Sequence, residues 1–116
     1  MGGASQHLWY VRVAMPLVFP NPPFVKESKS GLVAVWLQGH DTDKENTDKE
    51  YHVDCRVIET ALTQHCGAGG LENQELLRAF NEHRARIENT AQRKYAAGRV
   101  ERLKDRIVVW LDRGDF

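Results

Sequence analysis

The sequence predicts an α+β fold, in which a small antiparallel sheet packs on a short helix and a long amphipathic helix. Two observations predict it. Residues 32–57 carry β-branched runs and an alternating segment, which are typical of strands, whereas apolar residues in 58–97 recur at intervals of three and four, as in amphipathic helices. A chain of 116 residues with 41% hydrophobic side chains is long enough to bury one core without disulfides or metal. We therefore expect a single domain.

The N-terminal part predicts a strand followed by a turn. Residues 8–19 are rich in aromatic and β-branched side chains, but Pro16 interrupts the run, which argues against one central strand passing through it. The FPNPPF sequence at 19–24 predicts a turn, and the polar residues 26–31 predict a connection. The sheet is thus expected to receive one N-terminal strand from this region.

A long hairpin is predicted next. Residues 32–38 are nearly all apolar, which favours a strand covered on both faces, and residues 39–50 are polar without periodicity, which favours a loop. Residues 51–57 alternate, so that one set of side chains is predicted to face the core and the other to face water. The core set is Tyr51, Val53, Cys55 and Val57, and the water-facing set is His52, Asp54 and Arg56.

Two helices and a C-terminal strand complete the prediction. Apolar spacing predicts a short helix over 58–65, ended by the glycine-rich residues 67–70. A single long helix is predicted over 73–97; at about 36 Å its far end would project or pack on a second copy. Ile107–Leu111 is predicted as the last strand. The predicted core comprises Phe19, Val33, Val35, Val53, Cys55, Val57, Leu62, Leu76, Phe80, Ile87, Ala91, Ile107 and Val109.

Composition and motifs argue against several classes of function. The 16 basic and 16 acidic residues balance, no apolar run approaches the ~20 residues of a membrane span, and only two cysteines are present, so we predict a cytoplasmic protein without membrane association. The acidic loop has Asn46 and His52 where a calcium-binding loop requires Gly and Glu. Closely spaced Cys or His pairs and a glycine-rich phosphate loop are also lacking. We therefore predict no metal, no cofactor and no enzymatic activity.

The charges are unevenly distributed. Residues 78–106 contain nine basic and four acidic residues, which is compatible with nucleic-acid contact, but the interleaved acids favour a solvated helix face. His83 and Arg84 lie beside the apolar stripe, where they would hold an anion or form a small catalytic site; alternatively, Arg84 pairs with Glu88 one turn later. The candidate anion or nucleic-acid contacts are His83, Arg84, Arg86, Arg93, Lys94, Arg99 and Arg102.

Several stretches resemble a known family. They are LVFPNP at 17–22, VDCRV at 53–57, ETAL at 59–62, LLRAF at 76–80 and the closing DF, with His83, Arg84, Arg86, Ile87, Ala91, Lys94, Tyr95 and Gly98 between them. Over about residues 17–116 the pattern is similar to the bacterial domain-of-unknown-function family fourteen eighty-eight. The resemblance implies a compact α+β domain and brings no catalytic or binding residue with it. Residues 1–16 lie outside it and are expected to be an N-terminal extension, with Met15 as a hypothetical native start.

These observations favour an uncharacterised, non-enzymatic interaction or regulatory module. Its expected partner is an unidentified protein or a second copy of the chain, and self-association is expected to use the long helix. Two alternatives stay open: a nucleic-acid-binding accessory protein that uses the basic segment 78–106, and a small anion-binding or catalytic site near His83 and Arg84.

Overall fold

The computed structural model describes residues 15–116. The predicted extended segment before residue 15, and all but the last two residues of the expected N-terminal extension 1–16, lie outside the described residues. Within them the chain is an α+β fold, as predicted, with one sheet and three α-helices. The strands are β1 (Leu17–Val18), β2 (Phe24–Glu27), β3 (Val33–Asp41), β4 (His52–Ile58), β5 (Glu101–Arg102) and β6 (Ile107–Leu111). The helices are α1 (Glu59–His65), α2 (Asn73–Glu82) and α3 (Arg84–Ala96), and a short 3₁₀ turn follows at Arg113–Asp115.

The sheet is mixed, whereas an antiparallel sheet was predicted. Its strand order is β1-β3-β4-β6-β5, and β2 also pairs with β3. All the pairings are antiparallel except that of β4 with β6, in which Val53 lies opposite Ile107 and Val57 opposite Leu111. The three helices connect β4 to β6, and a connection of this length lets the chain return to the same end of the sheet and form a parallel pair.

The predicted loop over 39–50 begins too early, because β3 continues through Asp41. These polar residues form a strand since they are paired on both sides: His40 lies opposite His52 of β4 and opposite Val18 of β1. β2 lies where a turn and a polar connection were predicted, and its four residues pair with Val33–Trp36. Tertiary pairing overrides the local sequence signal in both places.

Gly39 allows the N-terminal segment to lie close to β3. A Cβ at this position would overlap the Val18 carbonyl oxygen and lie 2.6 Å from the Phe19 ring. We expect Gly39→Ala to lower the free energy of unfolding by about 1–3 kcal/mol, as overpacked substitutions do. Urea denaturation measures this loss, and a value below about 0.5 kcal/mol would mean that β1 moves off β3 at little cost.

The predicted long helix is wrong as a single element. It is broken at His83, which has φ −114° and ψ 18° and separates α2 from α3. The backbone N–H of His83 donates to the carbonyls of both Ala79 and Phe80, so the last turn of α2 tightens and ends. Both helices then pack on the same core, α2 through Leu76 and Phe80 and α3 through Ile87 and Ala91.

The predicted core is confirmed apart from Val33, which is only partly buried against it. Tyr51 was also predicted to face the core, but it lies outside the core cluster and stacks on His40. The buried side chains of all three helices join one cluster with alternate residues of β3, β4 and β6. The helices therefore cover one face of the sheet. The other alternate residues of these strands, such as Trp36 and Trp110, do not belong to that cluster.

An ion-pair network fixes the start of α2. Glu75 accepts from the Arg78 side chain and from the backbone N–H of Gly69, and Arg78 also donates to the Gly67 carbonyl. The hydrogen bonds from Arg78, and then that from Gly69, lower the pKa of Glu75 to about 2 from its ordinary value near 4.5.

This lowered pKa makes the network pH-dependent. Because the folded state holds the charged form of Glu75, its contribution to stability is present above pH 4.5 and is lost as the pH falls towards 2. We expect Glu75→Gln to lower the melting temperature at pH 7, and the difference from the unsubstituted protein to shrink between pH 4.5 and 2. Thermal melts across this range measure it, and a difference that stays constant with pH would contradict the assignment.

Candidate binding surface on the outer face of the sheet

We call the face opposite the helices the outer face. Cross-strand neighbours share a face, and the register places Phe24, Trp36, Arg56 and Trp110 in one row across β2, β3, β4 and β6. Among residues 15–116, no helix contributes a buried side chain to this row. The outer face carries Lys26, Trp36, Asp54, Arg56, Arg106 and Trp110.

Arg56 stands between the two tryptophans. Its guanidinium carbon lies 3.5 Å from the ring centroid of Trp36 and 5.4 Å from that of Trp110. Both distances are within the range of cation–π contacts, and planar guanidinium groups stack well on aromatic rings. Only 8% of Arg56 is exposed. The expectation that Arg56 faces water is therefore wrong: it lies on the predicted face, but its neighbours cover it.

Asp54 is the buried charge of the outer face, although it too was predicted to face water. It is 1% exposed, and each carboxylate oxygen accepts from a different arginine: Oδ2 from Arg56 at 2.9 Å and Oδ1 from Arg106 at 3.0 Å. A buried carboxylate requires such partners. The long side chains of Arg56 and Arg106 bond the shorter Asp54, which alternation alone does not reveal.

One donor of this cluster is unpaired. The Nε of Arg56 is buried and, in the part of the chain that the structure describes, has no hydrogen-bond partner. Buried polar atoms of this kind are rare in folded proteins. Arg56 thus keeps a spare donor at the centre of the aromatic row.

The aromatic row is supported at both ends. On the β2 side, the ring of Phe24 lies 5.9 Å from that of Trp36, and the ammonium of Lys26 lies 4.6 Å above the Trp36 ring. On the β5 side, the indole N–H of Trp110 donates to Glu101 at 2.8 Å. Both tryptophans remain partly exposed, so they are held in place yet accessible.

A polar cleft of about 380 Å³ adjoins the aromatic row. It is lined by His40 and His52, which lie opposite each other on β3 and β4, and by Asp54 and Arg106. The ring of Tyr51 stacks on that of His40 with centroids 4.9 Å apart. The remaining lining residues are Asn21, Gln38 and Gly39.

A second cleft, of about 360 Å³, lies beside the loop after β3. Tyr95 donates there to the buried carboxylate of Asp41, and burial together with that hydrogen bond raises the pKa of the Tyr95 phenol. Acidic and basic side chains, including Asp43, Lys44 and Arg102, are mixed in its wall. This mixture favours no ligand of a single charge.

The residues that the sequence singled out near the helix break hold the fold together. Arg84 donates to Glu88 at 2.7 Å, the alternative considered for it, and also to the carbonyls of Phe19 and Asn21. The ring of His83 contacts the Ala79 carbonyl through Nδ1 at 3.1 Å. In the same way, the buried side-chain amide of Gln92 on α3 bonds both the N–H and the C=O of Leu17.

The other basic candidates are spread over separate contacts. Arg86 donates to the His65 carbonyl, Arg93 to Thr90, and Arg102 to Glu50. Lys94 donates to Asp115 and to the Trp110 carbonyl, and Arg99 is exposed after α3. The structure does not bring these side chains together at one site.

Residues 15–116 form neither a metal site nor a membrane-spanning helix. No group of three His, Cys, Asp or Glu residues there is placed to hold a metal ion. Cys55 is fully buried against the helices, and burial raises the pKa of its thiol. No helix in this range is long and apolar enough to cross a bilayer.

The comparison with family profiles decides where the chain is classified. A profile described as "Protein of unknown function (DUF1488)" matches residues 46–104, slightly more than half of the chain. The chain belongs to the DUF1488 family. The matched segment is shorter than the resemblance over 17–116, and it includes Asp54 and Arg56 of the outer face but neither Trp36 nor Trp110. No curated protein and no solved structure matches the chain.

The outer-face site was missed at the level of sequence because its members are far apart in the chain. Trp36, Asp54 and Arg56 come from the predicted hairpin, whereas Trp110 lies in the C-terminal strand and Arg106 directly precedes that strand. The signal that was present is the period of two, which puts Trp36 opposite Arg56 once the register is known. The period of two does not reveal the parallel pairing of β4 with β6, which adds Trp110 to the row.

Proposed function

We propose that this DUF1488 protein is a non-enzymatic interaction module whose partner binds on the outer face of the sheet. The observation that carries the proposal is Arg56, held between Trp36 and Trp110 on a face to which no described helix contributes a buried side chain. Tryptophan and arginine are enriched among the residues that dominate binding energy, above all where they are rigidly held and partly desolvated.

The contacts of Asp54 support a binding role over a catalytic one. Both of its oxygens accept from arginines, so the carboxylate fixes Arg56 and Arg106 in place. A rigid scaffold beneath planar groups lowers the entropy that is lost on association. Within the cell we propose a cytoplasmic location, in keeping with the free thiols of Cys55 and Cys66.

Photo-crosslinking in cells tests the proposal and captures the partner whatever its identity. A benzophenone amino acid replaces Phe24, which is 38% exposed at the edge of the aromatic row, and in a matched control it replaces the exposed Arg93 on α3. We expect specific adducts in cells from position 24 and none from position 93. Adducts from position 93 alone would contradict the outer face and favour the basic segment 78–106.

Self-association, the other form of the interaction proposal, has its own test. Sedimentation velocity at rising protein concentration detects a dimer directly. The stability of a dimeric protein would also depend on the protein concentration. A dimer that is lost on Trp36→Ala would make a second copy the partner at the outer face. A dimer that survives this substitution would place self-association elsewhere.

A further inference from the structure

We infer that the ligand of the outer face is single-stranded nucleic acid. This inference rests on the proposed function and names the class of partner. It is carried by planar aromatic groups in a row, cations beside them, and a polar cleft next to the row, all on a single face of a sheet.

The aromatic row is suited to unpaired bases. Trp36 and Trp110 lie on strands separated by one other strand, with the Arg56 guanidinium between their rings, and they form two separate stacking platforms. Bases of single-stranded nucleic acids stack on aromatic rings and on arginine planes, and this stacking tolerates any sequence because every base has a π-face. Arg56 is buried between the two rings and holds them in place.

Lys26 indicates where a base and its phosphate would lie. β2 and β4 flank β3, so Lys26 and Arg56 reach the Trp36 ring from the two strands that neighbour it. Arg56 is buried and fixed, whereas Lys26 is exposed. A base that stacks on the Lys26 side of Trp36 displaces the ammonium, which is then placed to pair with the phosphate of that nucleotide.

The outer face offers cations to an anionic ligand, namely Lys26, Arg56 and Arg106. Among its carboxylates, Asp54 is buried between two arginines, Glu101 accepts from Trp110, and the exposed Asp105 pairs with Arg106 at 3.5 Å. Arg106 also lines the polar cleft together with His40 and His52, which supplies donors beyond the aromatic row.

The shape of the face favours single strands over duplex. The major groove of DNA admits a helix or a two-stranded ribbon, whereas the outer-face residues are spread over β2, β3, β4 and β6 of a wider sheet. Stacking on tryptophan also requires unpaired bases. A flat aromatic face therefore selects flexible single strands.

Fluorescence anisotropy of labelled 20-nucleotide probes of mixed sequence tests the inference. The probes are single-stranded RNA, single-stranded DNA, the matching DNA duplex and a labelled polyglutamate peptide, at about 50 and 200 mM salt. We expect both single strands to bind more tightly than the duplex and the peptide. If two or three phosphates are neutralised, the affinity should fall about tenfold between the two salt concentrations.

Four variants assign the binding to the aromatic row. We expect Trp36→Ala to weaken binding at least about fivefold, as the loss of one base stack does, and Trp36→Phe to retain most of the affinity. Lys26→Gln should reduce the salt dependence. Arg93→Gln, on the helical side, is the matched control and should bind as the unsubstituted protein does. Circular dichroism melts identify any variant that does not fold, and Lys26→Gln, at an exposed position, keeps the inference testable if Trp36→Ala is unfolded.

Three results would overturn the inference. They are no binding of either single strand at 50 mM salt, polyglutamate binding as tight as that of RNA, and an Arg93→Gln variant that loses affinity while Trp36→Ala keeps it. The proposed function fails separately, through the crosslinking experiment. Protein adducts from position 24 without nucleic-acid binding would retain the outer face and exclude this ligand.

Discussion

Asp54→Ala is expected to lower the free energy of unfolding by about 3–5 kcal/mol, as the loss of one partner from a buried ion pair does. Asp54 is 1% exposed and accepts from both Arg56 and Arg106. Its removal leaves the guanidinium of Arg56 between two indole rings without its counter-charge. The free energy of unfolding falls because an uncompensated buried charge remains. The loss is therefore larger than the net stabilisation that the intact ion pair provides.

The chain offers a matched control for this substitution. Asp105 also pairs with Arg106, at 3.5 Å, but its side chain is 74% exposed. Exposed pairs contribute about 0–1 kcal/mol, so Asp105→Ala should leave the urea midpoint almost unchanged. A loss below about 1 kcal/mol for Asp54→Ala in the same experiment would show that the buried ion pair does not organise the outer face.

Phe80→Ala is expected to cost about 3–5 kcal/mol on the opposite side of the sheet, since it removes a large aromatic side chain and leaves a cavity. Phe80 is fully buried where α2 meets the sheet. Leu71→Ala is the control, because Leu71 is 57% exposed. Equilibrium unfolding measures both, and a loss below about 1 kcal/mol for Phe80→Ala would mean that α2 turns another face to the core.

The two large effects also differ in their consequences for binding. Phe80 lies in the core, so conservative substitutions there that still fold should leave the outer face intact. Asp54 fixes Arg56 and Arg106 directly, so its loss should weaken ligand binding even at temperatures where the variant remains folded. Binding measured well below the melting temperature separates these two outcomes.

Much of the fold could be predicted because burial on one face imposes a period. Val53, Cys55 and Val57 alternate in β4 because that strand rests on the helices, and Leu76, Phe80, Ile87 and Ala91 mark the helical stripe even though the helix is broken. The break at His83 was not predictable, since apolar spacing continues across it. Nor was the parallel β6, because strand order depends on contacts between distant segments.

The candidate site was less accessible to sequence reasoning for a physical reason. Charge clusters in the sequence drew attention to 78–106, but Arg84 and Lys94 bond backbone carbonyls of distant segments and stabilise the fold. Asp54 and Arg56 read as ordinary water-facing residues of a strand. Their burial depends on Trp36, Arg106 and Trp110, which only the tertiary structure brings beside them.

NMR titration of ¹⁵N-labelled protein with the single-stranded RNA probe at low salt tests most directly whether the outer face is the binding surface. We expect the largest shifts at the indole N–H signals of Trp36 and Trp110 and at the backbone amides of β3, β4 and β6. The amides of α2 and α3 should change little. Shifts confined to α3 and residues 93–99, or no shifts at all, would contradict binding of this ligand at the outer face.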